Sequence, residues 1–135
     1  MSTITPHGHL ASAVAGETIT AGQALKLVSG VLNVTDANTD LCVGWAVQDA
    51  VSGENVAYQV DGVVRFIAGE DLVAAGDAEG KLLMCGAAGR MFLATAAKRH
   101  YLQFIPEGAT VANSTGNVAT AEYGVAVYHT GTVAA

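Results

Sequence analysis

ENVAYQVDGVVRFIA, residues 54–68, decides the fold. Val56, Tyr58 and Val60 alternate with Ala57 and Gln59; past Asp61-Gly62, Val64 and Phe66 alternate with Val63, Arg65 and Ile67. A period of two on both arms marks half-buried strands, because successive Cβ atoms of an extended chain point to opposite faces. Asp-Gly between such runs favours a two-residue type I′ turn, whose central residues both need positive φ. The stretch therefore predicts an antiparallel hairpin with one face on a core. Trp45, in the preceding LCVGWAVQ (41–48), is the largest candidate for that core.

Upstream, LKLVSGVLNVT (25–35) places Leu25, Leu27, Val31 or Leu32, and Val34 around a Ser29-Gly30 turn, a second small hairpin. Downstream run KLLMC, RMFLAT, HYLQFI, ATVAN, NVATA and EYGVAVYH, separated by Gly80, Gly86, Gly89, Gly108 and Gly116 and followed by Gly131. Helix is confined to Glu70–Ala78, weakened by Gly76, and to Ala94–Arg99. Short strands at regular spacing with turn residues between them predict an all-β chain, a small β-barrel or β-sandwich with at most one or two short helices.

One phrase occurs twice. AGETITAGQAL (15–25) and AGEDLVAAGDAEGKL (68–82) both run Ala-Gly-Glu, then an aliphatic residue, Ile19 or Leu72, then a second Ala-Gly pair and an apolar strand. A phosphate-cradling loop would need Lys-Ser/Thr or Gly-x-Gly-x-x-Gly, which neither copy has. The phrase reads as scaffold: an internal duplication of a strand-turn-strand element, the aliphatic residue plugging the end of a barrel.

Residues 1–14, MSTITPHGHLASAV, show neither a helical stripe nor strict alternation and read as an extended N-terminal arm, leaving 15–135 as a single domain. His7 and His9 would share one side of a strand, but no third ligand is near in sequence. DANTD (36–40) imitates the start of a calcium loop, yet Leu41 stands where a Gly is needed and Val47 where an acid is needed, so turn chemistry is the reading. Cys42 and Cys85 read as small buried hydrophobes without a disulfide. No metal or cofactor is expected to be needed for folding.

Only 13% of the 135 residues are charged, against about 25% in an ordinary soluble domain. Either partners cover much of the outer surface, or the chain is poorly soluble alone. The net charge is -6, and the six cations cluster only at Lys98-Arg99, so no basic stripe matches a row of phosphates and nucleic acid is not an expected ligand. No run of eighteen apolar residues spans a bilayer, and no cation precedes Lys26 to form the charged start of a secretory signal; a chain made in the cytoplasm is expected. No serine stands in a Gly-x-Ser-x-Gly elbow, and the six Asp and six Glu fall mostly in turns, so catalysis is not expected.

The segments AGETITAGQALKLVSGVLNVT and VGWAVQDAVSGENVAYQVDGVVRFIAGEDLVAAGD carry a resemblance. With their Ala-Gly-aliphatic-Ala-Gly opening, hairpin, Val-Gly-apolar-Ala strand and return to an Ala-Gly unit, they resemble the capsid cement or head-decoration proteins of tailed bacteriophages over about residues 15–77. The resemblance implies a head-decoration type β-barrel on the outer surface of an assembled capsid, bound to the major capsid protein. It also implies a homo-oligomer, with a trimer favoured over a dimer. On that reading the arm adds to the edge of a capsid strand, with Ile4 and Leu10 as anchors and Pro6 enforcing an extended path. The alternative is a biotinyl- or lipoyl-like carrier or a β-sandwich carbohydrate-binding or adhesin module. A carrier, however, needs a lysine at its hairpin tip, where this chain has Asp61-Gly62. Tyr58, Tyr101, Tyr123 and Tyr128 occupy alternating positions suited to packing rather than to a sugar platform.

Overall fold

The computed structural model describes residues 3–73, 82–105 and 117–133. Among these residues ten strands are formed: β1 (Leu10–Val14), β2 (Ala24–Val28), β3 (Val31–Val34), β4 (Gly44–Ala46), β5 (Asn55–Gln59), β6 (Val63–Ile67), β7 (Leu82–Cys85), β8 (Met91–Leu93), β9 (Arg99–Ile105) and β10 (Tyr123–Thr132). They make two five-stranded antiparallel sheets, ordered β1-β5-β4-β2-β3 and β6-β10-β9-β7-β8. The chain is all-β, a small β-sandwich, as the alternation predicts.

The Asp61-Gly62 hairpin is not formed. β5 and β6 lie in different sheets: β1 and β4 occupy both edges of β5, and β6 pairs with β10. Asp61-Gly62 is instead the corner at which the chain leaves one sheet for the other. Only Gly62 has positive φ (82°), whereas a type I′ turn needs two such residues. Ser29 (φ 51°) and Gly30 (φ 82°) do meet that need, and β2 and β3 are paired across them.

Neither expected helix is present among the described residues. Leu72, within Glu70–Ala78, bridges Val118 as extended chain, and the rest of that stretch from residue 74 lies outside the described residues. Ala94–Arg99 is a turn at Ala96 and Ala97 that runs into β9. A short 3-10 helix occurs at Ala87–Gly89 instead, where Ala88 and Gly89 have positive φ. The run ATVAN also lies outside the described residues.

The repeated phrase marks a duplication far larger than a strand-turn-strand element. The two sheets have the same strand order, with β1 to β5 corresponding to β6 to β10. Ala15 bridges β3 in parallel at Leu32, and Ala68 bridges β8 in parallel at Met91. Ile19 exchanges both backbone hydrogen bonds with Ala50, and Leu72 does so with Val118. Val51 N–H donates to the Glu54 carboxylate, and Ala119 N–H to that of Glu122. Each half thus curls until its first and third strands meet, and Ile19 and Leu72 close the two cores in equivalent places, both fully buried.

The halves keep separate cores. One holds Ile19, Leu25, Leu32, Val34, Val56 and Tyr58. The other holds Val64, Phe66, Leu72, Leu83, Met91, Leu102 and Phe104, and it also takes in Ala24, Cys42 and Trp45 from the first half. Trp45 is 1% exposed, donates Nε1–H toward Met91 Sδ at 3.5 Å and meets the Tyr128 ring edge-on.

Candidate functional site

Leu10–Val14, expected as part of an unpatterned arm, is strand β1. Its pairing with β5 puts Leu10 opposite Gln59 and Val14 opposite Asn55. Ala11, Ser12 and Ala13 are too small to show which face is buried, which hid the alternation. Residues ahead of β1 continue along the corner. Val60 N–H donates to His9 O, Val63 N–H to His7 O, and Ile4 N–H to Val47 O.

Of the expected capsid anchors, Leu10 is half exposed at the start of β1, Pro6 is exposed and Ile4 is partly buried. Ile4 and His7 form one wall of a groove of about 470 Å³ whose other wall is Val63, Arg65 and Val125 of the second sheet.

The clasp that fixes this strap went unnoticed at the level of sequence. Asp61 accepts a hydrogen bond from His9 N–H at 2.7 Å and lies 2.8 Å from His9 Nδ1. Gln59 Nε2 spans the corner, donating to Asp61 O and Val63 O at 2.7 Å each. Close approach requires the small residue at position 8, since a Cβ there would collide with the Asp61 carbonyl. Nothing local announces a contact between residues about fifty positions apart. Among the described residues no three His, Cys, Asp or Glu are grouped to hold a metal ion.

DANTD behaves as the turn its composition predicts. The Asp40 carboxylate accepts the N–H groups of Asp36 and Ala37 and the ammonium of Lys26. These bonds, led by the Asp36 N–H, hold the Asp40 carboxyl below its ordinary range. Cys42 and Cys85 are free and buried. Burial pushes the Cys85 thiol up to about 11 and the Cys42 thiol higher, so both stay protonated and unreactive at neutral pH. Tyr58 and Tyr101 are buried, and Tyr101 Oη lies within bonding reach of Cys42 N and Asp40 O. Tyr123 and Tyr128 are exposed, though Tyr123 donates its hydroxyl to Ala21 O.

Two pH effects follow. The His9 backbone N–H, then its side chain, lowers the Asp61 carboxyl, so the stabilisation is present above about pH 4, the unfolded value, and is lost as pH falls through the lower folded value. Thr120 N–H does the same for Asp71. His100, stacked on His129 with Nε2 2.9 Å from Nδ1, is lowered by burial and then by its neighbour. It therefore resists the proton that the unfolded chain takes up near pH 6.5, and its contribution drains away as pH falls below that value. Urea midpoints should fall in two stages on acidification. Asp61→Asn should flatten the lower stage, and His100→Phe the upper.

The fold defines a class: a duplicated all-β sandwich of two five-stranded sheets with the same strand order. No family model and no curated protein matches the chain. Among solved structures it is similar in fold to the head fiber gp8.5 N base in bacteriophage phi29, with a TM-score of 0.67 and 17% identity over 90% of this chain and 93% of that one.

Proposed function

We propose that the chain is a structural, non-catalytic protein of a tailed-bacteriophage head. It binds the outer surface of the assembled capsid as a homo-oligomer, a trimer rather than a dimer, and stabilises contacts between major capsid protein subunits. The observation that carries this is the fold match to a phage head fibre base over nine tenths of the chain. The low charge supports it, because faces poor in Lys, Glu and Asp suit permanent contacts. Several weak contacts made at once by an oligomer give an avidity far above that of each. The carrier alternative loses its footing, since Asp61-Gly62 is a clasped corner between sheets and not an exposed hairpin tip.

Co-sedimentation tests the reading. Empty heads built from the major capsid protein should pellet the chain in a saturable, stoichiometric manner and melt at a higher temperature once decorated. A chain that stays in the supernatant at micromolar concentration, with head melting unchanged, refutes it.

A further inference from the structure

Between two paired positions β10 carries one residue more than β9. Tyr128 faces Leu102 and Gly131 faces His100, so His129 and Thr130 together oppose Tyr101, a β-bulge. A bulge re-aims a side chain, and this one brings His129 to His100: Nε2 of the buried ring lies 2.9 Å from Nδ1 of the exposed one. The rings are nearly parallel, at 17°, but with centroids 5.0 Å apart they are offset until these two nitrogens point at each other. Gly131 makes room, since a Cβ there would sit 2.8 Å from His100 Cε1.

The contact holds one hydrogen between two nitrogens, and burial decides whose it is. His100 Nδ1 is buried and has no partner among the described residues. Were His129 the donor, neutral His100 would carry its proton on Nδ1 as a buried N–H bonded to nothing, and an orphaned donor is rarer and costlier than an orphaned lone pair. His100 therefore donates from Nε2, and neutral His129 keeps its own proton on Nε2. An added proton has no place in this arrangement. Put on His129 Nδ1, it sets N–H against N–H; if the shared hydrogen moves to His129 instead, His100 needs a proton on Nδ1, which is shut off from water. Either way the rings must part.

Little else holds the strand end that they pin. Beyond the bulge, β10 keeps to β9 through the Gly131 and Thr132 pairings, through Val133 N–H to Lys98 O and through Ala97 N–H to Val133 O. The titratable groups around this end are Lys98, Arg99 and Tyr101 from β9 and the turn before it, Tyr128 from β10, Cys85 from β7, and Asp40, Cys42 and Asp61 from the first half. β6 carries Arg65 further along, opposite Val125. The Asp40 and Asp61 carboxylates are engaged by Lys26 and His9, and burial keeps both thiols and the Tyr101 phenol protonated. Lys98 and Arg99 add positive charge, which opposes a further proton on the pair.

We propose that His100 and His129 form a proton-operated latch: the neutral pair pins residues 130–133 to the start of β9, and uptake of one proton from water releases them while both cores stay folded. Burial, then the neighbouring imidazole, holds His100 below the ordinary histidine value, so the latch is closed above about pH 6.5 and opens as pH falls below it.

Backbone amide exchange in the full chain, followed by NMR and corrected for the intrinsic effect of pH, tests the latch. Between about pH 7.5 and about pH 5.5 the protection of Ala97 and Val133 should fall at least about 10-fold, while that of Ile19, Ala50, Leu72 and Val118, whose amides close the two cores, holds within about twofold. His129→Asn keeps an acceptor near the place of Nδ1 without a basic nitrogen, and should make the protection of Ala97 and Val133 independent of pH over this range. Gly131→Ala, by displacing the His100 ring, should lower it already at the upper pH. Trp45 fluorescence reports folding, and should His129→Asn lose it, His100→Phe abolishes the shared hydrogen and the pH dependence equally. Imidazole nitrogen shifts read the tautomer, with His100 protonated on Nε2 at neutral pH. Absence of protection at the upper pH, a fall shared equally by the core amides, no fall at all, an unaltered fall in His129→Asn, or a His100 protonated on Nδ1 each overturns the latch.

Discussion

Trp45→Ala is expected to lower the free energy of unfolding by about 3–5 kcal/mol and to broaden the thermal melt or split it in two. The size follows from burial: the side chain belongs to the first sheet by backbone but to the second half's core by contact, and its indole has partners in Met91 and Tyr128. The change of shape follows from the duplication. Each half has its own core, so cooperativity between them depends on the few side chains that cross. Removing the largest leaves a cavity at the junction and two units of unequal stability. Differential scanning calorimetry decides this: a van't Hoff enthalpy falling below the calorimetric enthalpy is the expected result, and a single sharp transition with an unchanged enthalpy ratio is the contrary one. Against a net stability of roughly 5–15 kcal/mol, the loss is large enough to expose the less stable half near body temperature.

Phe66→Ala should cost a similar amount, about 3–5 kcal/mol, but within one half and with a specific rescue. Phe66 is fully buried, crosses Phe104 edge-on at 6.3 Å, and lies opposite Gly124 in register. A Cβ on Gly124 would sit 2.6 Å from Phe66 Cζ, so Gly124→Val by itself should also destabilise, by about 1–3 kcal/mol of overpacking. The equivalent pair in the first half is Ala13 opposite Val56, with the large and small members exchanged. Combining Phe66→Ala with Gly124→Val copies that arrangement. The double variant should therefore be more stable than the sum of the two losses allows, with a coupling of about 1–3 kcal/mol in a urea-melt cycle. Strict additivity would mean that the two sites do not share a volume.

Much of the fold was legible from residues alone. Alternation located β2, β3, β5, β6 and the core of β10 because burying one face of a strand forces a period of two, and that demand is local. Ser29-Gly30 was legible because positive φ at two successive positions is a property of the turn itself. Trp45 as a core residue, the buried cysteines and the Asp40 turn followed from side-chain chemistry that does not depend on distant partners. The repeated Ala-Gly-Glu phrase disclosed a duplication, though only its opening survived in sequence. Equivalent positions such as Gln59 and Val127, or Lys26 and Met84, share a register but no chemistry.

Of the expected interaction residues, Ile4, Pro6 and Leu10 were placed on an arm because small residues blurred the pattern of β1. Their strap is held by an Asp61–His9 clasp that no local reading could supply. What the sequence by itself determined was which residues are extended, which of their faces are buried and where the chain reverses, since these rest on backbone sterics and on side-chain period. What only the tertiary structure decided was which strands are neighbours. Asp61-Gly62 had the composition of a hairpin and became a corner, because β5 satisfies its two edges with β1 and β4, β6 finds β10, and the competition among such pairings is settled by the total area and hydrogen bonding of the whole chain.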